Sequence, residues 1–290
     1  MGFLSLLVVL LLVQLWGFGG PLQQDSWYRA WCQWLVTKLK HPAAVLALGV
    51  FLPVILLLVA MMALYVQGFG WLLVLLNIPV LLFALGRGRL DNLVQDYKDA
   101  WEAQARDDAC KAVNALRLDG EQACQTDSQW QGVHAEAFQA ISYRGFERMF
   151  AVLFWFSLLG APGALLYRLT ALSAREPLLG ENSQDPIRHL LWLLEWPAAR
   201  VYYLSVAMVG DFVACAERWR VLGLCMKSPT AMVVEAFNRG ALGLDGALVR
   251  EIDAGDTAAV AEIDKLVQLM SRALILWVCA AALIALLLGG

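Results

Sequence analysis

Charge is what this chain has least of. Only 16% of its 290 residues are Asp, Glu, Lys or Arg, 60% are apolar, and the mean hydropathy is +0.61. A soluble globular domain is about 25% charged and about 45–50% apolar, so composition argues against a water-soluble fold. A net charge of −3 leaves no basic footprint for nucleic acid. Closely spaced metal ligands are missing as well. Cys32, Cys110, Cys124, Cys215, Cys225 and Cys279 include no Cys-x-x-Cys pair, and His41, His134 and His189 stand apart. Neither a zinc cage nor a redox motif is therefore expected, and six unpaired thiols in a reducing compartment are. The chain has no Walker-type phosphate loop, no Gly-x-Ser-x-Gly elbow and no His-Glu-x-x-His helix. It also lacks a Pro/Ser-rich linker and an internal repeat, so residues 1–290 read as one integrated domain with no cofactor and no metal.

What the chain has instead is apolar runs. From His41 to Gly86 there is no charged residue, room for two membrane helices of about 20 residues each and a tight turn at Gln67-Gly68. This predicts spans over 43–65 and 69–85. Further uncharged stretches predict spans over 149–168 and 272–288. Residues 3–18 are short for a span, but no basic residue precedes them, which favours a membrane helix over a cleaved signal peptide. Residues 189–210 carry Glu195, Pro197 and Arg200 in a Leu/Trp/Tyr-rich setting, and read either as a polar-cored span or as a helix at the interface. Arg29, Lys38, Lys40, Arg87 and Arg89 are expected on the cytoplasmic side. The basic residues of 211–271 then favour six spans over five.

The polar stretches read as helical too. Leu90, Leu93, Val94, Tyr97 and Trp101 recur at helical steps, Asp119-Gly120 ends that helix, and Ser128 with Gln131 resembles a capping box. Residues 88–148 are thus expected to form a cytoplasmic amphipathic hairpin. In 211–271, Ser228-Pro229 and Asp256-Thr257 mark two helix starts. Trp27, Trp31 and Trp34 line one helical face and suit the headgroup layer. The predicted fold class is all-α: a polytopic helical membrane protein with five to six spans. Ionisable residues at membrane level are the candidate site, because they are expensive in hydrocarbon. These are Arg144 and Glu147 before the 149–168 stretch, Arg168 at its end, and Glu195 and Arg200 in 189–210.

Two motifs resemble a known family. LFWFSLLGAPGALLYRL (Leu153–Leu169) resembles the AmpE/CobD superfamily pattern of Leu-Phe-Trp, a Gly-rich bend and Tyr-Arg. EWPAAR (Glu195–Arg200) resembles its acid-Trp-x-Pro-x-Arg segment, with the proline displaced by one position. The CobD/CbiB branch of the superfamily comprises cobinamide-phosphate synthases, which couple an aminopropanol compound to a corrinoid carboxylate. Its pattern has Glu-Asn and then Asp where this chain has Tyr143, Arg144 and Glu147. It has Asn-Thr-Leu-Asp where this chain has Ala171, Leu172, Ser173 and Ala174, and its early His-Pro-Val survives as His41-Pro42-Ala43. Those departures remove the expected ligands for an ATP-bound metal or the substrate. The resemblance therefore implies the AmpE branch, a multi-pass protein of the bacterial inner membrane linked to β-lactamase induction and antibiotic resistance. That reading makes it a non-enzymatic signalling modulator. Besides the lipid bilayer, its partners would be a protein or a cell-wall-derived ligand, contacted by Arg144, Glu147, Arg168, Glu195 and Arg200. A corrinoid amide synthase with an altered site and a small transporter are the rival readings.

Overall fold

A computed structural model describes residues 26–39, 42–69, 71–85, 90–117, 124, 129–175, 181–223, 225, 226, 228–244 and 256–289. The expected span over 3–18, the Asp119-Gly120 helix end and the Ser128 cap lie outside them. All regular structure among the described residues is helical. In chain order the helices are α1 (Ser26–Lys38), α2 (Pro42–Val66), α3 (Leu72–Leu85), α4 (Leu90–Glu102), α5 (Arg106–Leu116), α6 (Trp130–Gly145), a π-helical turn (Phe146–Ala151), α7 (Val152–Leu159), α8 (Ala161–Ser173), α9 (Glu181–Val209), α10 (Phe212–Leu222), α11 (Thr230–Ala241) and α12 (Thr257–Gly289). Among the described residues, three segments are long and apolar enough to cross a membrane: Ala47–Val66, Leu72–Glu102 and Thr257–Leu283. The described residues thus give fewer spans than the five to six expected, one of which, 3–18, lies outside them. The chain divides into two compact units: Met1–Gly88 with Ala151–Glu195 and Ala281–Gly290, and Arg89–Phe150 with Trp196–Ala280.

The first unit is built around α8. This helix packs against α2, α3 and α7, and every residue in it but Leu166 is buried. Leu165, Leu169 and Leu172 of α8 join Tyr28 and Cys32 of α1, Val50 of α2 and Phe83 of α3 in one apolar core. The opposite side of α2 exposes Phe51, Ile55, Leu56, Val59 and Met62 in a helix without a charged residue, as a lipid-facing surface does. The stretch 149–168, expected as a span, is interrupted. A π-helical turn runs into its first residues, and the chain reverses at Gly160, whose φ of +69° is a left-handed value that glycine adopts without a Cβ clash. Helices α7 and α8 fold back on each other so closely that a Cβ on Gly163 would lie 2.5 Å from the Trp155 carbonyl oxygen. Both expectation and structure start from the same apolar residues. Apolarity alone does not distinguish a crossing from a turn-back, and Gly160, Pro162 and Gly163 impose the latter.

The second unit holds α4, α5, α6, α10, α11 and the flanking parts of α9 and α12. The stretch expected as a two-armed hairpin over 88–148 forms three helices, because the first arm breaks at Ala103–Ala105 with Gln104 at φ +55°. Helix α5 packs on α4 and α6, and α6 on α11. After Gly210, α10 runs back along α9: Trp219 stacks on Tyr203 at 4.6 Å, and Arg200 reaches Gly223. Asp211 caps α10 by accepting hydrogen bonds from the Val213 and Ala214 N–H groups. Asp256 likewise accepts from the Ala258 N–H at the start of α12, which runs unbroken to Gly289 as the Asp256-Thr257 signal predicts. Pro229 occupies the N-cap of α11 rather than its first helical position.

Cys110 and Cys124 form a disulfide, which corrects the expectation of six unpaired thiols. The Asn114 amide, one turn beyond Cys110, accepts from the Cys124 N–H at 2.8 Å and holds the same residue against α5.

Candidate functional site

In the first unit, the two motifs are tied together by hydrogen bonds. Trp155, from the Leu-Phe-Trp stretch on α7, donates from Nε1 to the Leu194 carbonyl at 3.0 Å. Tyr167, from the Tyr-Arg pair on α8, donates to Glu195 Oε1 at 3.2 Å. The turn-back at Gly160 lets both reach consecutive residues of α9. Glu195 is 3% exposed, so its carboxylate is held in a low-dielectric interior where a donated hydrogen bond offsets part of its desolvation. Arg168, next along α8, is buried as well. The remaining buried polar groups of α8 are less available: Thr170 and Ser173 donate to carbonyls one turn back. Ser173 also meets the Tyr28 hydroxyl at 2.5 Å.

In the second unit, Arg144 and Glu147 come together at the start of the π-helical turn. Arg144 Nη1 donates to Glu147 Oε2 at 3.0 Å, while its Nε and Nη2 donate to the carbonyls of Leu116 and Arg117 at the end of α5. One guanidinium thus uses its fork of donors to fix both a buried carboxylate and a helix terminus. Arg200 is engaged differently. It donates from Nε to the Gly223 carbonyl and from Nη2 to the Cys225 carbonyl, both at 2.9 Å, and lies 4.6 Å from the Trp196 ring centroid. The last carbonyls of a helix lack intrahelical donors and carry partial negative charge, so a cation there is favourable. Arg200 is the side chain that terminates α10.

Two further groups leave almost no mark in sequence. Asn77 is buried in α3 and its Oδ1 has no hydrogen-bond partner; the available signal is an amide inside an uncharged run, just before Pro79. His134 is buried between Glu262 and Tyr97, with Nε2 3.1 Å from Glu262 Oε2 and Nδ1 3.1 Å from the Tyr97 hydroxyl. A neutral imidazole satisfies both, donating to the carboxylate and accepting from the phenol. These three residues come from α4, α6 and α12, and no spacing in the chain announces them. Among the described residues, no group of three or more His, Cys, Asp or Glu is placed to hold a metal ion.

The chain is 29% identical over 175 residues to the cobalamin biosynthesis protein CobD of Chromobacterium violaceum, a match covering 54% of this chain and 55% of that protein. It is 29% identical over 199 residues to the cobalamin biosynthesis protein CobD of Stutzerimonas stutzeri, covering 65% and 61%. The chain thus spans somewhat over half the length of these curated relatives. No protein-family profile matches it, and no solved structure does. The two matches support the broader AmpE/CobD grouping without singling out its AmpE branch. They also correct the functional expectation. A non-enzymatic modulator of β-lactamase induction and antibiotic resistance conflicts with similarity to two proteins named for cobalamin biosynthesis. The altered carboxylate and amide positions weighed too heavily in that expectation.

Proposed function

We propose that this chain is a membrane-bound biosynthetic enzyme of the CobD/CbiB kind, forming an amide between a corrinoid carboxylate and an aminopropanol compound at the expense of ATP. The observation that carries this reading is the similarity to two CobD proteins over more than half of this chain. The hydrogen bonds joining the two motif segments support it, since they hold Glu195 and Arg168 on adjoining buried helices. Glu195 is the proposed contact for the substrate's ammonium or amide hydrogens, and Arg168 the proposed contact for a phosphate or carboxylate. Arg144 and Glu147 are the proposed ligand contacts of the second unit. Arg200 acts as a positioning residue that holds the carbonyls of Gly223 and Cys225.

The donor set at the altered positions, Tyr143, Arg144, Glu147, Ala171, Leu172, Ser173 and Ala174, has one carboxylate, paired with Arg144, and does not suit a divalent cation, which prefers clustered carboxylate and carbonyl oxygens. No chemical step is therefore assigned to a protein-bound metal. The proposed setting is a bacterial inner membrane, crossed by the three apolar segments.

The test incubates detergent-purified protein with adenosylcobyric acid, aminopropanol phosphate and Mg-ATP, with a CobD enzyme as positive control. Mass spectrometry is expected to find the amide product, and Glu195→Gln protein of unchanged melting temperature to form far less. Absence of product from folded wild-type protein would sink the proposal.

A further inference from the structure

Helix α1 has three faces of different chemistry. At 100° per residue, Tyr28, Cys32 and Leu35 share one side of the helix, and all three are buried. They converge on Gly49 of α2, each within 4 Å of where its Cβ would stand. A second face carries Ser26, Gln33 and Thr37, polar and exposed. Between these lies a stripe of Trp27, Trp31, Trp34 and Lys38, spaced four, three and four residues apart and so within about 60° of one another around the axis. Trp27 is 46% and Trp34 52% exposed, Trp31 stacks on Trp34 at 5.3 Å, and Trp27 lies 5.3 Å from the Phe83 ring.

We infer that this indole stripe is a binding surface for an anionic phospholipid at the headgroup level of the bilayer. Three observations select lipid as the occupant. The stripe adjoins α2, whose exposed apolar side chains require acyl chains around them. A helix with one protein face, one aromatic face and one polar face matches the boundary of protein, lipid and water, and indoles favour that depth. The charge is one-sided: α1 exposes Arg29 and Lys38 and contains no acidic residue. Lys38 ends the stripe, where its ammonium can pair with a lipid phosphate while its stem lies along the indoles. The helix, at 13 residues, is about 20 Å long, too short to cross the hydrocarbon core.

The test places the full chain in nanodiscs containing either phosphatidylglycerol or phosphatidylcholine brominated near the headgroup end of the acyl chains. Brominated phosphatidylglycerol is expected to quench indole fluorescence more than brominated phosphatidylcholine. That excess is expected to vanish in the Trp27→Phe/Trp31→Phe/Trp34→Phe variant, and Lys38→Gln to lower the preference for the anionic lipid by about five-fold. Lys38→Gln lies on the surface and leaves the core untouched, so it remains informative if the triple variant misfolds. Excess quenching that persists in the triple variant overturns the inference. So does an identical lipid preference in wild type and Lys38→Gln, or recovery of a stoichiometric protein rather than lipid by photo-cross-linking from position 34.

Discussion

Replacing Glu147 by alanine removes the carboxylate that pairs with a buried cation. Arg144 and Glu147 are 5% and 1% exposed, and their 3.0 Å contact is an ion pair. Arg144 also donates to the carbonyls of Leu116 and Arg117, which are dipoles and do not neutralise its charge. Removing one partner of a buried pair costs about 3–5 kcal/mol, mostly the desolvation of the charge left behind. Glu147→Gln keeps an acceptor oxygen near the same place and loses only the charge, so its cost should be about half of that. Arg144→Met/Glu147→Met removes both charges, but leaves the Leu116 carbonyl without its donor, at a cost of about 1–3 kcal/mol. The expected order of stability is wild type, then the double and Gln variants, then Ala. Thermal unfolding in detergent, followed by intrinsic fluorescence at one fixed scan rate, reads this order. At about 2–4 °C per kcal/mol, the apparent Tm of Glu147→Ala should fall by about 6–20 °C. The reasoning is refuted if Glu147→Ala melts with the wild type, or if the double variant melts as low as Ala.

Other substitutions probe the remaining devices. Gly160→Val forces a β-branched side chain into a left-handed conformation and should cost about 1–2 kcal/mol, read as a lower melting temperature. Arg200→Lys keeps the charge but not the planar fork, so amide exchange in the last turn of α10 should accelerate by about ten-fold in hydrogen-exchange mass spectrometry. Iodoacetamide should label Cys110 and Cys124 only after reduction, and Cys110→Ser should cost about 3 kcal/mol through the lost loop closure. Labelling of both thiols without reductant would refute that pairing.

What was legible in the chain is what local chemistry determines. Absent charge marks α2 and α3 because nothing else tolerates so long an uncharged run, and Asp256-Thr257 marks α12 because a cap acts within three residues. The all-α class follows from those periods. The Gly-rich bend in Leu153–Leu169 is visible in the chain, but its amplitude is not: the stretch is as apolar as a span, and the close approach of Gly163 to Trp155 that makes it a full reversal belongs to the packing. Arg200 illustrates a different limit. The carbonyls that make it a cap, those of Gly223 and Cys225, stand more than twenty residues away, and any sequence supplies carbonyls, so the pattern around it reads as an intramembrane charge rather than as a helix cap. Arg144 and Glu147 are a local pair three residues apart and could be read directly. Tyr97, His134 and Glu262 meet only through the packing of three helices.

The reversal at Gly160 also bears on whether water enters this part of the molecule. A helix broken inside a membrane protein exposes peptide groups that need partners, and in transporters such breaks line hydrated paths. Here three donors at the bend are retained by the chain: Gly160 N–H donates to the Phe156 carbonyl, Gly163 and Ala164 N–H both donate to the Gly160 carbonyl, and Pro162 has no N–H to satisfy. Leu158 and Leu159 at the tip are exposed and apolar. A reversal that keeps these donors within the chain and presents leucines outward suits an apolar surrounding better than a hydrated path. Its work is to deliver Trp155 and Tyr167 to α9.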